Sequence, residues 1–279
     1  MLTGRFGSKL QKVGTRMTGD VNFQRWNASG TEQVIMLHGF TGSECSFESV
    51  IPYLSSEIEV IAPLLPGHGK KPMLLEDLSM ESQIEWLREF ITQNHLEDAA
   101  LLGYSMGGRL AIGYAMTYPV KQLILVSASP GIQSLDERKM RAEADRKLAE
   151  SIRENGIEEF VSYWEQIPLF ATQQSLPDDV KRRVRKERLQ HQPLPLSQSL
   201  EQFSTGKMPS YWERLGTYSG PVTLIVGEQD TKFVGIGEAM HKLLKHSERV
   251  VVPNAGHAIQ VENPRIFATI IEDVLLRRN

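Results

Sequence analysis

Cysteine is nearly absent: Cys45 is the one thiol among 279 residues. A lone thiol closes no internal disulfide, which fits a reducing cytoplasm. Long apolar runs are missing too. Nothing approaches the ~20 uninterrupted apolar residues that cross a bilayer, so no membrane span is expected. There is no basic excess, since 31 Lys plus Arg stand against 34 Asp plus Glu, for a net charge of −3. That balance argues against a general nucleic-acid binder. The seven histidines form no H-x-x-x-H pair and there is no C-x-x-C, so no metal site is expected. Internal repeats and low-complexity tracts are absent. What is present is an ordinary globular composition, 41% apolar and 23% charged. A domain near this size buries about 75% of its unfolded surface, so it needs neither disulfide nor structural metal. Cys45 is expected as a small buried apolar residue.

Residues 1–16 carry Arg5, Lys9, Lys12 and Arg16 and no acid. Leu2, Phe6, Leu10, Val13 and Met17 recur at helical spacing, as in a basic amphipathic surface helix. Gly4, Gly7 and Gly14 weaken that helix, and no signal-peptide h-region or cleavage site follows. The segment reads as a frayed, disordered extension ahead of the fold.

Short apolar runs then alternate with helical patterns. Val34–Leu37, Val60–Ala62, Ala100–Leu102, Leu123–Val126, Val222–Val226 and Val250–Val252 read as strands apolar on both faces. Central parallel strands look this way when helices cover both sides. Phe47–Ser55, Glu81–Gln93 and Met106–Thr117 read as helices. A final helix starts at Asn263 as N-cap with Pro264 in its first turn. The order predicts an α/β fold with a mostly parallel, doubly wound central sheet flanked by helices. From Asp136 to about Gly216 no strand is predicted. The expected organisation is a core of residues 17–135 and 217–279 with a helical cap at 136–216.

Gly103-Tyr104-Ser105-Met106-Gly107 joins a predicted strand to a predicted helix, as a G-x-S-x-G nucleophile elbow does. Glycines flank the serine because the turn is sharp and neighbouring backbone comes close. The helix beyond Ser105 aims N–H groups at developing negative charge. His38-Gly39-Phe40 follows the first central strand, so the backbone N–H groups of Phe40 and Met106 form the expected oxyanion hole. His38 and His68, the latter in a Pro66-Gly67-His68-Gly69 turn, read as structural. Asp230 and His257 each follow a later strand, giving the chain order Ser105, Asp230, His257. His257 is expected to move protons, Asp230 to orient its ring and Ser105 to supply the hydroxyl. Glu228 is the alternative acid.

Arginines form the remaining signal. Arg109 lies one helical turn beyond Ser105, and Arg138 and Arg141 open the insert one turn apart. Lys181–Arg188 holds six bases and one acid, yet residues 136–191 hold twelve of each. Anion binding must therefore be local, and most of that run reads as a solvated face. Arginine grips carboxylates with two parallel hydrogen bonds, so several in one cleft suit a polyanion.

At these residues the chain resembles the α/β-hydrolase superfamily over Val21 to Arg277. Within it, the chain is similar to the 2-succinyl-6-hydroxy-2,4-cyclohexadiene-1-carboxylate synthases of menaquinone (vitamin K2) biosynthesis. The resemblance rests on HGFTGS at His38–Ser43, GYSMGGRLA at Gly103–Ala111 and ASPGI at Ala128–Ile132. Glu137–Ala149, YWEQIPLF at Tyr163–Phe170, GEQDTKF at Gly227–Phe233 and AGHAIQVENP at Ala255–Pro264 complete it. The chain departs from that family's glycine-rich loop at Ser204–Ser210, where no role is assigned, and in having Leu64 where an acid is usual.

The resemblance implies a lyase on a hydrolase scaffold. It would remove a ring proton from 2-succinyl-5-enolpyruvyl-6-hydroxy-3-cyclohexene-1-carboxylate and expel pyruvate. Arg109, Arg141 and Arg188 would bind the carboxylates of this small tricarboxylate, with Tyr104 and Trp164 lining the pocket. No cofactor is needed. A cytoplasmic monomer or weak homo-oligomer is expected. The competing reading is a serine carboxylesterase or C–C bond hydrolase with the same Ser-Asp-His set, which has no special need for three arginines.

Overall fold

The computed structural model describes residues 21–277 apart from Leu74. The extension at residues 1–16 lies outside the described residues. Strands β1 (Phe23–Trp26), β2 (Glu32–Leu37), β3 (Ile58–Pro63), β4 (Ala100–Tyr104), β5 (Leu123–Val126), β6 (Val222–Gly227) and β7 (Ser247–Val252) form one sheet. Their spatial order is β1-β3-β2-β4-β5-β6-β7. All neighbours pair in parallel except β1, which runs antiparallel to β3. The chain moves outward from β2 to β3, then crosses back to β4. Strand order therefore reverses between β2 and β4, the kind of point where open α/β sheets bind ligands.

β3, β4, β5 and β6 are buried along their whole length, as their apolar runs require, with Glu59 of β3 and Thr223 of β6 the polar exceptions. The pleat sends Leu101 into a layer with Trp86, Leu87 and Phe90 of α1 (Met80–Gln93) and Leu110 of α2 (Met106–Ala115). It sends Leu102 to the opposite layer, with Phe267 and Ile271 of α8 (Pro264–Leu275). Asn263 caps α8, its side chain accepting from the Ile266 N–H at 3.3 Å.

β1 carries no predicted strand. It is paired on one side and half exposed, so its sequence lacks the apolar run that marks a central strand. The helix expected over Phe47–Ser55 is replaced by successive three-residue turns and a short 3-10 turn at Ile51–Tyr53. Pro52 has no N–H to donate, and its ring opposes an α-helical carbonyl four residues back. Phe47 and Val50 are buried all the same.

Between β5 and β6 the described residues hold helices and turns only: α3 (Leu135–Trp164), a 3-10 stretch at Pro168–Ser175, α4 (Asp178–Arg188) and α5 (Pro193–Gln202). α3 breaks at Gly156, whose φ of 81° favours glycine. Ala149, Ile152, Phe160, Val161, Leu196 and Leu200 form a small separate apolar cluster here, with Phe40 packed against it. α6 (Thr231–Leu243) and α7 (Ile259–Glu262) complete the element set used below.

Candidate active site

Ser105 sits at the turn from β4 into α2 with φ 51° and ψ −106°, a strained conformation for a residue with a side chain. The neighbouring glycines are steric necessities. A Cβ at Gly103 would overlap the Gly107 carbonyl, and one at Gly107 would overlap the Leu37 carbonyl at the end of β2. The Ser105 N–H donates to the Val126 carbonyl at 2.9 Å, which ties the turn to β5.

His257 lies on the loop after β7, with its Nε2 2.9 Å from the Ser105 Oγ. Its Nδ1 lies 2.6 Å from the Asp230 Oδ2. With Nδ1–H donating to Asp230, Nε2 is the acceptor for the serine hydroxyl. Asp230 is the N-cap of α6, and its other oxygen accepts the Phe233 N–H at 3.4 Å. The Phe233 and Tyr104 rings stand 4.7 Å and 5.5 Å from the imidazole and restrict its rotation. Glu228, the alternative acid, is exposed and accepts the Asn254 N–H at 3.0 Å instead.

His38 is engaged at both ring nitrogens. Nδ1–H donates to the Gly39 carbonyl at 2.8 Å, and Nε2 accepts the Leu65 N–H at 3.0 Å. Burial pushes its pKa down to about 3, so it braces the Gly39–Phe40 loop as a neutral ring. His68 is buried edge-on against His38 and Phe40.

Ser105 and His257 open into a cavity of about 340 Å³. Phe40 and Met106, the expected oxyanion-hole residues, line it, as do Tyr104 and Trp164. The Met106 N–H begins α2, where the first four N–H groups lack helical partners. Burial pushes the Tyr104 phenol up, which keeps it protonated.

Arg109 and Arg141 are on the cavity wall. Arg109 donates from Nη1 to the Phe203 carbonyl at 2.7 Å and pairs with no carboxylate among the described residues. Burial, and then the charge of Arg141, pull its pKa down to about 9, which leaves it charged at neutral pH. Arg141 donates from Nε to both oxygens of buried Asp145 at 2.9 and 2.8 Å. Arg138 is turned to another task, donating to the carbonyls of Gly206, Lys207 and Met208.

Arg188 is the candidate that the fold does not bring to this cavity. It is buried in the adjoining recess that shares Tyr104 and Phe170 as a wall. There it stacks 4.7 Å from the Phe170 ring centre, donates to Gln173 at 3.1 Å and lies 3.7 Å from a Glu165 oxygen. The end of α4 sets this position. Arg182 and Arg183 on the same helix are exposed.

Cys45 also differs from expectation, being exposed rather than buried. It sits on a turn whose neighbours Ser43 and Ser46 are pinned by Glu187, so the thiol is left at the rim of a separate hollow. Partial burial, and then the Glu44 and Glu48 carboxylates, push the thiol up to about 11. That hollow, of about 410 Å³, contains none of Ser105, Asp230 and His257.

Three features escaped the sequence. Lys232 lines the cavity beside Phe233; the D-x-K-F segment is its only signal. Ser204 donates to Asp145 at 2.6 Å, behind Arg141. Glu262 contacts the backbone on both sides of His257. The last two are long-range or loop-closing contacts with no spacing rule. Among the described residues no cluster of His, Cys, Asp or Glu could hold a metal ion.

Comparison with known proteins agrees with this arrangement. The alpha/beta hydrolase fold family matches residues 33–264. A Bacillus subtilis protein, provisionally named 2-succinyl-6-hydroxy-2,4-cyclohexadiene-1-carboxylate synthase, is 43% identical over 88% of this chain and 91% of its own length. An Enterobacter protein with that name is 29% identical over 89% of this chain and 93% of its own. The solved structure of MenH from S. aureus superposes with a TM-score of 0.85 at 32% identity, covering 89% of this chain and 95% of that one. A thermophilic esterase from Thermogutta terrifontis, solved with malate bound, superposes at 0.79 with 25% identity, covering 94% of this chain and 97% of that one. With a mostly parallel sheet, a serine elbow after β4, and an acid and a histidine after β6 and β7, the chain belongs to the α/β-hydrolase fold family.

Proposed function

We propose that this chain is a carbon–oxygen lyase of menaquinone biosynthesis, forming 2-succinyl-6-hydroxy-2,4-cyclohexadiene-1-carboxylate by eliminating pyruvate. The named relatives support the reaction. The observation that carries it to this site is Arg109, a half-buried cation with no carboxylate partner among the described residues, sharing the cavity wall with Arg141 and the Ser105–His257 pair. A partly desolvated guanidinium left in this state awaits an anion.

The substrate's ring proton lies next to the succinyl carbonyl and is acidified by it. His257, through its hydrogen bond with Ser105, takes that proton as Asp230 steadies the imidazolium. The electron pair moves onto the carbonyl oxygen as an enolate, held by the N–H groups of Phe40 and Met106. It returns through the ring double bond and breaks the C–O bond to the enolpyruvyl group. The departing pyruvate enolate then takes up a proton. No water is consumed. Arg109 and Arg141 hold carboxylates, while Tyr104 and Trp164 shape the wall. Arg188 supports that wall from behind.

The helices of residues 136–216 act as a cap over the strand ends, and the enzyme works in the cytoplasm on a small molecule. The lone cysteine, and described helices too short or polar to cross a membrane, fit that placement.

The test is mass balance. Incubation with the cyclohexene tricarboxylate should release pyruvate, and the two product masses should sum to the substrate mass. A product pair heavier by one water, or an acyl group on Ser105 along the productive path, would replace the lyase with a serine hydrolase.

A further inference from the structure

We infer that Glu262 is a positioning residue for His257, holding the histidine loop and supporting the positive charge that the imidazole gains when it accepts a proton. The carboxylate reaches back from the end of α7 and brackets His257 in the backbone. One oxygen accepts the Gly256 N–H at 2.6 Å, and the other accepts the Ala258 N–H at 3.2 Å. These are the peptide groups immediately before and after the catalytic histidine, and Gly256 and Ala258 are both buried. A buried N–H without an acceptor is costly, and two beside an imidazole would disfavour its cationic form. A single carboxylate removes both problems and adds a negative charge near the ring.

The loop needs such a clamp because its backbone–backbone bonds leave these two N–H groups without an acceptor. Asn254 turns it with a φ of 56°, and the Ala255 carbonyl accepts the Gln229 N–H at 2.9 Å. The Ala258 carbonyl accepts the Val261 and Glu262 N–H groups at 2.9 Å, and the Gly256 and Ala258 N–H groups are left to the Glu262 carboxylate. Its Nε2 must stay 2.9 Å from Ser105 while Nδ1 stays 2.6 Å from Asp230, so a small rotation of the peptide at 256–258 breaks one of the two. Asp230 at the N-cap of α6 and Tyr104 of β4 are the titratable groups facing the ring, and Lys232 of α6 shares the cavity wall. Glu262 is the group that acts through the loop.

Glu262→Gln keeps the shape but offers one acceptor and one donor to two N–H groups. The folded variant should lose about tenfold in kcat, the scale of one charge-assisted hydrogen bond, with KM within about twofold. With the nearby negative charge removed, the imidazolium is less favoured. The acid limb of the kcat/KM profile, and the imidazole titration of His257 followed by NMR in the free enzyme, should therefore both move to lower pH. Glu228→Gln, which loosens the same loop at Asn254, should move neither. Glu262→Asp keeps the charge but is one methylene too short for both contacts, so it should lose rate while leaving the acid limb in place.

A folded Glu262→Gln protein with wild-type kcat and titration overturns the inference. So does equal behaviour of the Glu228 and Glu262 variants, or failure of both Glu262 variants to fold, which would make the clamp purely structural. The inference rests on His257 as proton acceptor and not on the substrate's identity. The NMR titration reads the free enzyme, so it fails or succeeds separately from the pyruvate assay.

Discussion

The guanidinium carbon of Arg109 lies 4.9 Å from the centre of the Phe203 ring, and its Nη1 donates to the carbonyl of the same residue. Phe203 follows α5, so a residue distant in sequence holds a cation of the elbow helix α2 from behind. Nε and Nη2 are left without a protein acceptor among the described residues. The arrangement preorganises a planar donor for a carboxylate.

Removing this donor should be costly for activity and cheap for stability. Arg109→Ala should lower kcat/KM by a few tens-fold or more, the scale of ~2–5 kcal/mol for one partner of a desolvated pair. Arg109→Lys should not restore it, because an ammonium cannot make the planar two-point contact. Arg109→Met, which replaces a half-buried charge with an apolar chain of similar length, should fold with an equal or higher Tm. Steady-state kinetics and thermal melts check both. Wild-type kinetics in Arg109→Ala would take the arginine out of substrate binding.

Arg141 depends on a relay. Ser204 donates to Asp145, and Asp145 accepts from Arg141. Ser204→Ala removes one hydrogen bond to a carboxylate, worth ~1.5–3 kcal/mol. It should raise KM about tenfold with kcat largely retained, since the arginine loses orientation rather than charge. Asp145→Asn should do the same. A fall in kcat at unchanged KM would place the relay elsewhere in the cycle.

Ser105, His257 and Asp230 should behave as a unit. Ser105→Ala and His257→Ala should each cost several orders of magnitude in rate in folded protein. The double variant should be little worse than either single one. Additive losses, or near-normal turnover in Ser105→Ala, would show that they act apart.

Three buried neutral histidines predict acid sensitivity. Burial pushes His38 down to about 3 and His191 to about 4, and His68 well below its usual value. Between those values and the ordinary histidine pKa near 6.5, the unfolded chain binds protons that the folded chain refuses, so stability rises with pH. It should be fully present above about pH 6.5 and fall progressively toward pH 4, by on the order of 1 kcal/mol or more per histidine. His191→Gln should flatten the curve. Urea melts across this range give the slope, and a pH-independent midpoint would contradict the assignment.

The sequence by itself determined whatever is local. Central strands show as unbroken Val, Ile and Leu runs because both their faces are covered. The elbow shows because backbone crowding admits only glycine at 103 and 107, and Ser105, Asp230 and His257 show because each follows such a run. β1 did not show, since one-sided pairing leaves no apolar run, and Pro52 broke a helix that the apolar spacing suggested. Tertiary structure decided the rest. It turned Cys45 outward, placed Arg188 behind Tyr104 and Phe170, and set Arg138 to hold the 206–208 backbone. It also put Lys232 on the cavity wall, Ser204 against Asp145 across 59 residues, and Glu262 on both sides of His257. A charged side chain carries no periodicity that says where its end will rest. Its partner is chosen by how distant helices and loops pack, and that choice is made only when the chain is folded.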